Sequence, residues 1–479
     1  MTVQLGALLD RLRAAPPGEA IAVDARGDTS VDVADVVHDT REVRAGALFC
    51  CVPGQRVDGH ELAGDAVAAG AVALLVERPL GLGVPELQVA SVRDAMGPVA
   101  AARWDHPSRS LRVVGVTGTS GKTTTTHLLR SVLEAHGWGT ELIGTLSGPR
   151  TTPEAPELQR RLAAARDAGA AAVSMEVSSH ALALGRVRAT RFACAVFTNL
   201  SHDHLDFHTD LEDYFEAKAR LFTPEYADAA VVNLDDEHGR RLADRALVPT
   251  HGFSTDDLAE LQVETDRAAF VWRGQRIALP FGGAFNVSNA LAAATAAAVL
   301  GVPPAAIARG LEGSGTVPGR FEPVDEGQPF TVIVDYAHKP GALAGVLEAA
   351  RAAARTGQVT VVFGAGGDRD PTKRPEMGEV AARLADRVLL TADNPRGEDP
   401  LAIVAAIRAG MPADARCEVE IDRATAIDQA ISSARAGDVV VIAGKGHEAV
   451  QVVGDEHRPF DDREVARAAL RRRREGAGW

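Results

Sequence analysis

The segment Thr117-Gly-Thr-Ser-Gly-Lys-Thr-Thr124 contains the residue types that bind phosphate in proteins. Its two glycines let the backbone come close to phosphate oxygens, and the amides that open a following helix point at the anion. The Lys122 ammonium can bridge the outer phosphates of a nucleotide, and the Thr123 hydroxyl can coordinate magnesium. The strict Walker pattern requires a glycine where Val116 stands. The apolar run before the segment and the helical pattern after it still predict a phosphate-binding loop.

Two later segments end apolar runs with residues that could bind a metal ion. Glu176 closes one such run, and the segment 197–206 follows the next one with a cluster of histidines and aspartates. Ligands of open α/β sheets bind at the edge where the strands end, so we expect these side chains near the phosphate loop. Oxygen ligands together with a nucleotide phosphate favour magnesium. Zinc is less favoured because the cluster has no cysteine partner and the chain has no HExxH motif.

The alternation of apolar runs and helical stretches predicts the elements that position these residues. Short apolar runs separated by helices indicate mostly parallel sheets that are covered on both faces. A helix is predicted from the phosphate loop to Gly137, a suitable C-cap, and an alanine-rich helix is predicted at 286–300. The predicted strands form two series, at 111–116, 171–177, 194–198 and 229–233, and at 331–334, 359–363, 388–390, 417–421 and 439–442.

The length of 479 residues corresponds to about three domains at roughly 150 residues each. We expect a small N-terminal α/β domain at 1–108, a central P-loop ATPase-like domain with a parallel sheet at 109–318, and a C-terminal Rossmann-like domain at 319–479. The predicted fold class is therefore α/β with three domains. The elements predicted for the first domain are helices at 5–14 and 99–105 and strands at 47–52 and 71–76.

The composition limits the classes of function. A formal net charge of -14 argues against a nucleic-acid-binding protein, although small anions need only a few local cations. The four cysteines have no CxxC spacing, which fits a reducing compartment. No leader and no apolar run of about 20 residues is present, so we expect a cytoplasmic protein without membrane insertion, predicted to be a monomer.

No GxGxxG motif follows a strand, which disfavours a dinucleotide oxidoreductase. The arginine run 471–474 is interpreted as a solvated helix end.

A series of short motifs follows the chain from end to end: Asp39-Thr-Arg41, Asp58-Gly-His60, the phosphate loop, Thr151-Thr-Pro153, Met175-Glu-Val-Ser-Ser-His180, Thr198-Asn-Leu-Ser-His-Asp-His204, Phe285-Asn-Val-Ser-Asn289, Gly319-Arg320, Asp335-Tyr-Ala-His338, Gly366-Gly-Asp-Arg369, Asp393-Asn-Pro-Arg396 and Ala443-Gly-Lys-Gly-His-Glu448. In this order they resemble the Mur ligase family over nearly the whole chain. The resemblance implies an ATP-dependent ligase whose three domains handle a UDP-linked sugar acceptor, ATP and an incoming amino acid, with an acyl phosphate as the intermediate.

The resemblance also implies a nucleotide and metal site that uses ATP and Mg²⁺. The metal would be held by Thr123, Glu176, His204 and Lys218, the last of which matches a lysine that family members carbamylate. By spacing alone, Lys218 would be an exposed lysine on a helix. The implied catalytic residues are Lys122, Glu176, His204 and Lys218. The implied ATP-binding residues are Gly118, Thr119, Ser120, Gly121, Lys122, Thr123, Thr124, Asn289, Arg320 and Asp335.

The segment Asp393-Asn-Pro-Arg396 resembles the signature of family members that add meso-diaminopimelate to a cell-wall precursor. Arg396 can pair with the distal carboxylate of that amino acid through two parallel hydrogen bonds, and Asp393 can receive its distal ammonium group. A lysine-adding relative is not expected to carry this motif. The implied amino-acid-binding residues are Arg369, Asp393, Asn394, Pro395, Arg396, Gly444 and Glu448.

On the acceptor side the resemblance implies binding of UDP-N-acetylmuramoyl-L-Ala-D-Glu, but the chain departs from the family pattern there. Leu184 stands where some members carry a glutamine, His202 replaces a more usual arginine, and the stretch 144–151 is short. A related ligase with another acceptor or amino acid therefore stays open as an alternative. A nucleotide-dependent switch without turnover is opposed by the intact catalytic set. The implied acceptor-binding residues are Thr40, Thr151, Thr152, Ser178, Leu184 and Arg186.

Overall fold

The computed structural model describes residues 2–15, 20–54, 57–264 and 266–477, which form three α/β units in chain order. The strands of the first unit are β1 (Val3–Gln4), β2 (Asp24–Arg26), β3 (Asp32–Val33), β4 (Asp35–Val37), β5 (Ala47–Cys50), β6 (Ala71–Val76) and β7 (Glu86–Gln88). Its helices are α1 (Leu5–Arg13), α2 (Ala63–Ala68) and α3 (Val92–Arg103). Five strands form one sheet in the order β2-β7-β6-β5-β4, in which β2 pairs antiparallel and the others parallel. The elements predicted at 5–14, 47–52 and 71–76 are present as α1, β5 and β6.

The predicted start of the helix at 99–105 was wrong, because α3 begins earlier, at Val92. Ser91 caps this helix, with its side chain accepting a hydrogen bond from the amide of the third helical residue. Pro98 lies inside α3 and removes one backbone hydrogen bond. The helix continues through this position because apolar side chains on both sides of the proline, including Met96 and Val99, are buried in the core of the unit.

The second unit contains the phosphate-loop segment. Its strands are β8 (Arg112–Thr117), β9 (Thr140–Ile143), β10 (Ala172–Glu176), β11 (Cys194–Phe197), β12 (Ala230–Asn233), β13 (Thr250–Phe253), β14 (Ala259–Val263), β15 (Ala268–Trp272) and β16 (Gln275–Leu279). Its helices are α4 (Lys122–Ala135), α5 (Ala155–Asp167), α6 (Ser179–Ala183), α7 (Leu211–Ala219), α8 (Glu237–Arg245), α9 (Ala284–Val299) and α10 (Pro304–Glu312). All four strands predicted here are present to within one residue at either end.

The main sheet of the second unit is parallel throughout, in the order β13-β12-β11-β8-β10-β9. β8, which precedes the phosphate loop, lies between β10 and β11. Since parallel strands end at the same edge, the segments that follow β8, β10 and β11 meet there. An antiparallel sheet of β14, β15 and β16 follows β13 in the chain.

The core of the second unit is built largely from small aliphatic side chains, as the aromatic content of 4% requires. α9 corresponds to the alanine-rich helix predicted at 286–300, and its alanines are buried against Leu129 and Val132 of α4. Alanine side chains allow these two helices and the sheet to approach closely. Each buried leucine or valine contributes about 1.5–3 kcal/mol relative to an exposed one.

The third unit is a second parallel sheet with helices on both faces. Its strands are β17 (Glu322–Pro323), β18 (Thr331–Asp335), β19 (Val359–Phe363), β20 (Arg387–Leu390), β21 (Cys417–Val419), β22 (Val439–Ala443), β23 (Val450–Val453) and β24 (Glu456–Pro459). Its helices are α11 (Pro340–Ala354), α12 (Lys373–Leu384), α13 (Pro400–Arg408), α14 (Arg423–Ser433) and α15 (Asp462–Ala477). The sheet order is β17-β18-β22-β19-β20-β21, with β17 antiparallel. The five strands predicted for this region are β18 to β22, and the arginine run 471–474 lies near the end of α15.

The third unit is docked on the second at the edge that carries the phosphate loop. Lys339, just before α11, lies 2.5 Å from Asp203, and Arg320 donates to the Thr123 hydroxyl at 3.1 Å. The carboxyl ends of the two large parallel sheets therefore face one shared space. Within the described ranges, no helix has the length and apolar content needed to cross a membrane.

Candidate active site

The phosphate loop connects β8 to α4, and its backbone depends on glycine at two positions. Gly118 and Gly121 have φ angles of 150° and 84°, in the region that favours glycine. A side chain at Gly118 would collide with Thr198, and one at Gly121 would collide with Asn289. The two glycines therefore allow the loop to lie directly against the strand end and the helix beside it.

Residues after β11 hold this loop in place. The Thr198 hydroxyl donates to the carbonyl oxygen of Ser120 at 2.6 Å, and the Asn199 side-chain oxygen accepts from the Ser120 amide at 3.0 Å. The Thr119 amide donates to the carbonyl of Asn199 at 2.9 Å. The loop shape is thus set by a neighbouring strand as well as by its own sequence.

Lys122 begins α4 and bends back over the loop. Its ammonium group donates to the carbonyl oxygens of Gly118 at 2.7 Å and Thr119 at 2.9 Å. Burial, assisted by the nearby charge of Lys339, lowers the pKa of Lys122 to about 7 despite the carboxylate of Glu176. A bound anion favours the charged form of such a lysine.

Glu176 ends β10 and is 1% exposed. One carboxylate oxygen accepts from the Thr123 hydroxyl at 3.0 Å and from the Thr145 amide at 2.8 Å, and the other accepts from the Thr145 hydroxyl at 3.2 Å. The carboxylate therefore points at the start of α4, where it adjoins the loop threonine.

Lys218 is buried, so the exposed position that its spacing indicated is wrong. It lies on α7 with 1% exposure, on the same helical face as Tyr214, and its nitrogen is 4.3 Å from the centre of that ring. The nitrogen donates to the carbonyl of Gly118 at 3.1 Å. Burial and the neighbouring ammonium groups of Lys122 and Lys339 hold the pKa of Lys218 well below its ordinary value.

His204 follows β11 with a left-handed backbone, at a φ of 57°. Its Nε2 atom lies 2.9 Å from a carboxylate oxygen of Asp203. Burial lowers the pKa of His204 in spite of that carboxylate. Burial also raises the pKa of Asp203, but the Lys339 ammonium and His204 outweigh this effect, so the carboxyl group is strongly acidic. A neutral His204 that donates from Nε2 to Asp203 keeps Nδ1 as a lone-pair donor.

Two oxygen donors of this set are of the type that magnesium prefers. The Thr123 hydroxyl and the Glu176 carboxylate lie 3.0 Å apart, so one cation could contact both oxygens. His204 offers a ring nitrogen whose other nitrogen is already oriented by Asp203. Lys218 fits as a ligand once its amine is carbamylated, since an ammonium group cannot bind a cation.

Three further residues of the expected ATP set surround the loop. Asn289 lies on α9 beside the loop, within 3.4 Å of the Thr125 hydroxyl. Arg320 packs over the ring of Tyr336 at 4.5 Å, in addition to its contact with Thr123. The buried Asp335 ends β18 and accepts from two backbone amides, at 2.6 Å and 2.7 Å.

A cavity of about 710 Å³ joins the loop to the third unit. This volume is in the range of small-molecule sites. Most of the expected ATP-binding residues line it, as do most of the expected acceptor residues. The expected residues on its walls are Thr119, Ser120, Gly121, Lys122, Thr123, Thr124, Thr151, Thr152, Glu176, Ser178, Arg186, His204, Asn289, Arg320 and Asp335.

The acceptor side of the cavity is held by a buried carboxylate. Glu154 pairs with Arg186 at 2.8 Å and with Arg93 of the first unit at 3.3 Å, which orients Arg186 toward the cavity wall. Thr152 donates to the backbone carbonyl of Glu176 at 3.0 Å, so this wall adjoins the carboxylate at the loop. Two expected acceptor residues, Thr40 and Leu184, are not among the residues on the cavity walls.

The expected amino-acid residues gather at the carboxyl edge of the third sheet, outside the walls of that cavity. The Asn394 amide donates to the carboxylate of Glu448 at 2.8 Å, and Asp393 abuts Gly444, where a side chain would collide with it. Arg396 donates to the carbonyl of Gly367 at 2.7 Å. Burial raises the pKa of Asp393. Pro395 is buried beside these residues, whereas Arg369 is exposed near Gly366.

Tyr336 connects the two groups of residues. It lines the cavity, and it lies beside Glu448 of the amino-acid cluster. Its ring also lies 5.0 Å from that of His447. Tyr336 is therefore in contact with both the nucleotide side and the amino-acid side.

Two residues with evident roles at this site were not among the predicted site residues. Asp203 lies inside the histidine and aspartate cluster that was predicted from the sequence. Its negative charge could have identified it there as a site residue. Lys339 directly follows the motif 335–338, but its sequence gives no sign that it reaches the phosphate loop of another unit. Its position depends on how the units dock.

The fold and the loop define a P-loop α/β enzyme of three units. Family models match along the chain: the Mur ligase family catalytic domain at 32–105, the Mur ligase middle domain at 116–297, and the Mur ligase glutamate ligase domain at 319–446. A curated relative from Streptomyces coelicolor is 45% identical over 98% of this chain and 96% of its own length. The chain therefore belongs to the Mur ligase family.

The Streptomyces coelicolor relative is named UDP-N-acetylmuramoyl-L-alanyl-D-glutamate--2,6-diaminopimelate ligase. A solved structure of an enzyme with the same name is similar with a TM-score of 0.67 and 32% identity, over 98% of this chain and 99% of that one. The Thermotoga maritima MurF ligase, solved in complex with ADP, has a TM-score of 0.65 at 21% identity over 92% of this chain and 98% of that one. This last likeness concerns the fold alone.

Proposed function

We propose that the protein is an ATP-dependent ligase that joins meso-diaminopimelate to UDP-N-acetylmuramoyl-L-Ala-D-Glu in peptidoglycan precursor synthesis. The proposal draws on relatives of that name that match nearly the whole chain. The observation that carries the choice of amino acid is the cluster at the edge of the third sheet. There the Asn394 amide donates to Glu448, Asp393 abuts Gly444, and Arg396 donates to the carbonyl of Gly367.

The amino-acid site is expected to recognise both ends of a diamino diacid. Arg396 presents a guanidinium group that suits a distal carboxylate. Asp393 and Glu448 supply acceptors for a distal ammonium group. A lysine substrate would have the ammonium group but would leave the Arg396 charge without its partner, which disfavours it.

The first chemical step is phosphoryl transfer. An oxygen of the acceptor carboxylate attacks the γ-phosphorus of ATP, the bond to the bridging oxygen breaks, and ADP leaves. Lys122 and the loop amides hold the phosphates in line and offset the charge that develops on them. Thr123, Glu176, His204 and, once carbamylated, Lys218 would hold a magnesium ion, which would supply further positive charge at the phosphate oxygens.

The second step forms the amide bond. The free amine of the amino acid attacks the carbonyl carbon of the acyl phosphate, a proton is lost from nitrogen, and inorganic phosphate leaves. The acyl phosphate would hydrolyse in water, so the docked arrangement of the second and third units protects it. The proximity of the amino-acid cluster to the cavity, across Tyr336, is consistent with direct transfer.

The test is an assay of phosphate release with ATP, magnesium and UDP-N-acetylmuramoyl-L-Ala-D-Glu. We expect release that depends on meso-diaminopimelate, with a tripeptide product by mass, and little release with L-lysine or without an amino acid. Release with lysine but not with diaminopimelate would overturn the choice of amino acid. If the protein binds ADP but releases no phosphate with either amino acid, the choice of acceptor would be overturned.

A further inference from the structure

Lysine is rare in this chain, and most of its lysines are buried. Of 51 basic residues five are lysines, at positions 122, 218, 339, 373 and 445, and the rest are arginines. Four of the five are at most 8% exposed, and the fifth is Lys122 in the phosphate loop. A compact ammonium group differs from the planar guanidinium group in size, hydration and geometry. A lysine in this chain therefore indicates a position where a small point charge is needed.

Three of these lysines are linked through two carbonyl oxygens of the phosphate loop. Lys218 and Lys122 both donate to the carbonyl of Gly118, at 3.1 Å and 2.7 Å. Lys122 and Lys339 both donate to the carbonyl of Thr119, at 2.9 Å and 3.2 Å. The three ammonium groups thus follow the loop in a row, and Lys339 is the one supplied by the third unit.

Lys122 and Lys339 are the two members of the row that keep an ammonium group when Lys218 is carbamylated, and among the described residues Lys122 forms no ion pair but donates to loop carbonyls. Lys339 contacts Asp203 at 2.5 Å, and both side chains are less than 10% exposed. Glu176 is the other carboxylate close to the row, and it is already bonded to Thr123 and Thr145. Buried cations without matching anions are costly. A polyphosphate that lies along the loop would supply the negative charge that Lys122 lacks.

We propose that Lys339 is a further catalytic residue, which contacts the transferring phosphoryl group and is held for this purpose by Asp203. This inference rests on the proposed function, because it assigns Lys339 to the phosphoryl-transfer step of that reaction. Lys339 lines the cavity together with Lys122 and Thr119. Since it belongs to the third unit, phosphoryl transfer is supported only while that unit is docked.

The position of Lys339 is defined by the elements on both sides of it. β18 ends at Asp335, and α11 begins at Pro340, which leaves Lys339 as the N-cap residue with an extended backbone. Gly341 in the first turn of α11 packs close to Ser201 of the second unit, where a side chain would be within 3.4 Å of the serine oxygen. This close approach brings the lysine to the loop carbonyl.

The test compares Lys339→Met, which keeps the apolar stem, with Lys339→Arg, which keeps the charge. Acyl-phosphate formation is followed in rapid-quench experiments without amino acid, by trapping the product with hydroxylamine at saturating ATP and acceptor. We expect the rate constant to fall by about 10²-fold or more in Lys339→Met, as for other donors to a developing transition-state charge. Lys339→Arg should recover part of this loss, and the affinity for ADP should stay within about twofold of wild type.

Glu376→Gln is the matched control. Glu376 forms another contact between the second and third units, at 3.3 Å from His202, and it is not among the residues on the cavity walls. This variant should keep the wild-type rate constant to within about threefold, as expected for a surface ion pair. An equal loss in Glu376→Gln and Lys339→Met would assign Lys339 to docking alone and overturn the inference, as would an unchanged rate constant in Lys339→Met.

A second measurement does not need the acceptor. Binding of a non-hydrolysable ATP analogue and of ADP is compared by calorimetry in wild type and Lys339→Met. We expect the variant to lose affinity for the analogue but not for ADP, because the difference between them is the γ-phosphate. Equal effects on both ligands would overturn the inference. Failure of wild type to form acyl phosphate with this acceptor would instead contradict the proposed function, and the binding comparison would still decide the role of Lys339.

Discussion

Lys218 and Lys122 donate hydrogen bonds to the same atom, the carbonyl oxygen of Gly118. Burial lowers the pKa of both groups, and for Lys218 the neighbouring ammonium groups of Lys122 and Lys339 lower it further. For Lys218 the result favours the neutral amine. A neutral amine is the form that reacts with carbon dioxide, and this relationship leads to the first prediction.

We expect Lys218 to carry a carbamate in the active protein. Its neutral amine forms a bond to the carbon of carbon dioxide and loses a proton, which leaves a carbamate anion in place of the amine. Removing carbon dioxide from the buffers should lower the rate of ligation, and added bicarbonate should restore it. With labelled carbon dioxide, a carbon resonance should appear in wild type. Its presence in Lys218→Ala would contradict this assignment, and Lys218→Ala should be slower by about 10²-fold or more.

Nucleotide binding should weaken with increasing pH above neutrality. The pKa of Lys122 is about 7 in the ligand-free protein, against an ordinary value of 10.5, chiefly because of burial. An anionic nucleotide raises it again, so binding takes up a proton wherever the free protein has lost it. The Kd for ADP should therefore increase above pH 7, by at most about tenfold per pH unit, and stay level below pH 7.

This pH dependence can be measured by calorimetry in two buffers with different ionisation enthalpies. Lys122→Arg is the control, because arginine remains charged over this range and should give a flat profile. Equal slopes for wild type and Lys122→Arg would assign the dependence to another group.

Arg396 should control the KM for the amino acid without affecting ATP. It is part of the cluster at the edge of the third sheet and lies apart from the walls of the nucleotide cavity. Lys cannot reproduce the two parallel hydrogen bonds of a guanidinium group to a carboxylate. In Arg396→Lys we expect the KM for meso-diaminopimelate to rise by about tenfold or more, with the KM for ATP unchanged. A parallel rise in both constants would point to a loss of domain structure instead.

The stability of the third unit should depend strongly on one buried ion pair. Arg423 and Asp462 are both fully buried and lie 2.7 Å apart, and the Arg423 side chain also donates to the carbonyl oxygen of Ala443, just before Gly444. Asp462→Asn leaves the buried guanidinium without its counter-charge. The free energy of unfolding of this unit should fall by about 3–5 kcal/mol, as measured by hydrogen exchange in α14 and α15.

The comparison for that prediction is an exposed pair on the same helices. Arg472 and Asp428 lie 2.6 Å apart, but both side chains are largely exposed. Asp428→Asn should lower the free energy of unfolding by less than about 1 kcal/mol. If the two substitutions had equal effects, burial of the ion pair would not be the reason for its contribution.

The local features of this protein could be predicted from its sequence. The phosphate loop, the strands before it and after it, and the ends of those strands at Glu176 and His204 depend on short-range patterns. Apolar runs determine strands because their side chains must be buried, and glycines mark the backbone angles that other residues avoid. The start of α3 was placed too late because Pro98 resembles a helix boundary in sequence.

Only the tertiary structure determined which charged side chains contact one another. Lys218 has the spacing of a surface lysine, and it is buried because Tyr214 and the loop carbonyl of Gly118 lie on the same side of α7. Lys339 and Asp203 are far apart in sequence and belong to different units, so their contact depends on docking. Sequence patterns report the environment of a residue along its own helix or strand. Long-range contacts depend on the packing of whole sheets and helices, which no local pattern records.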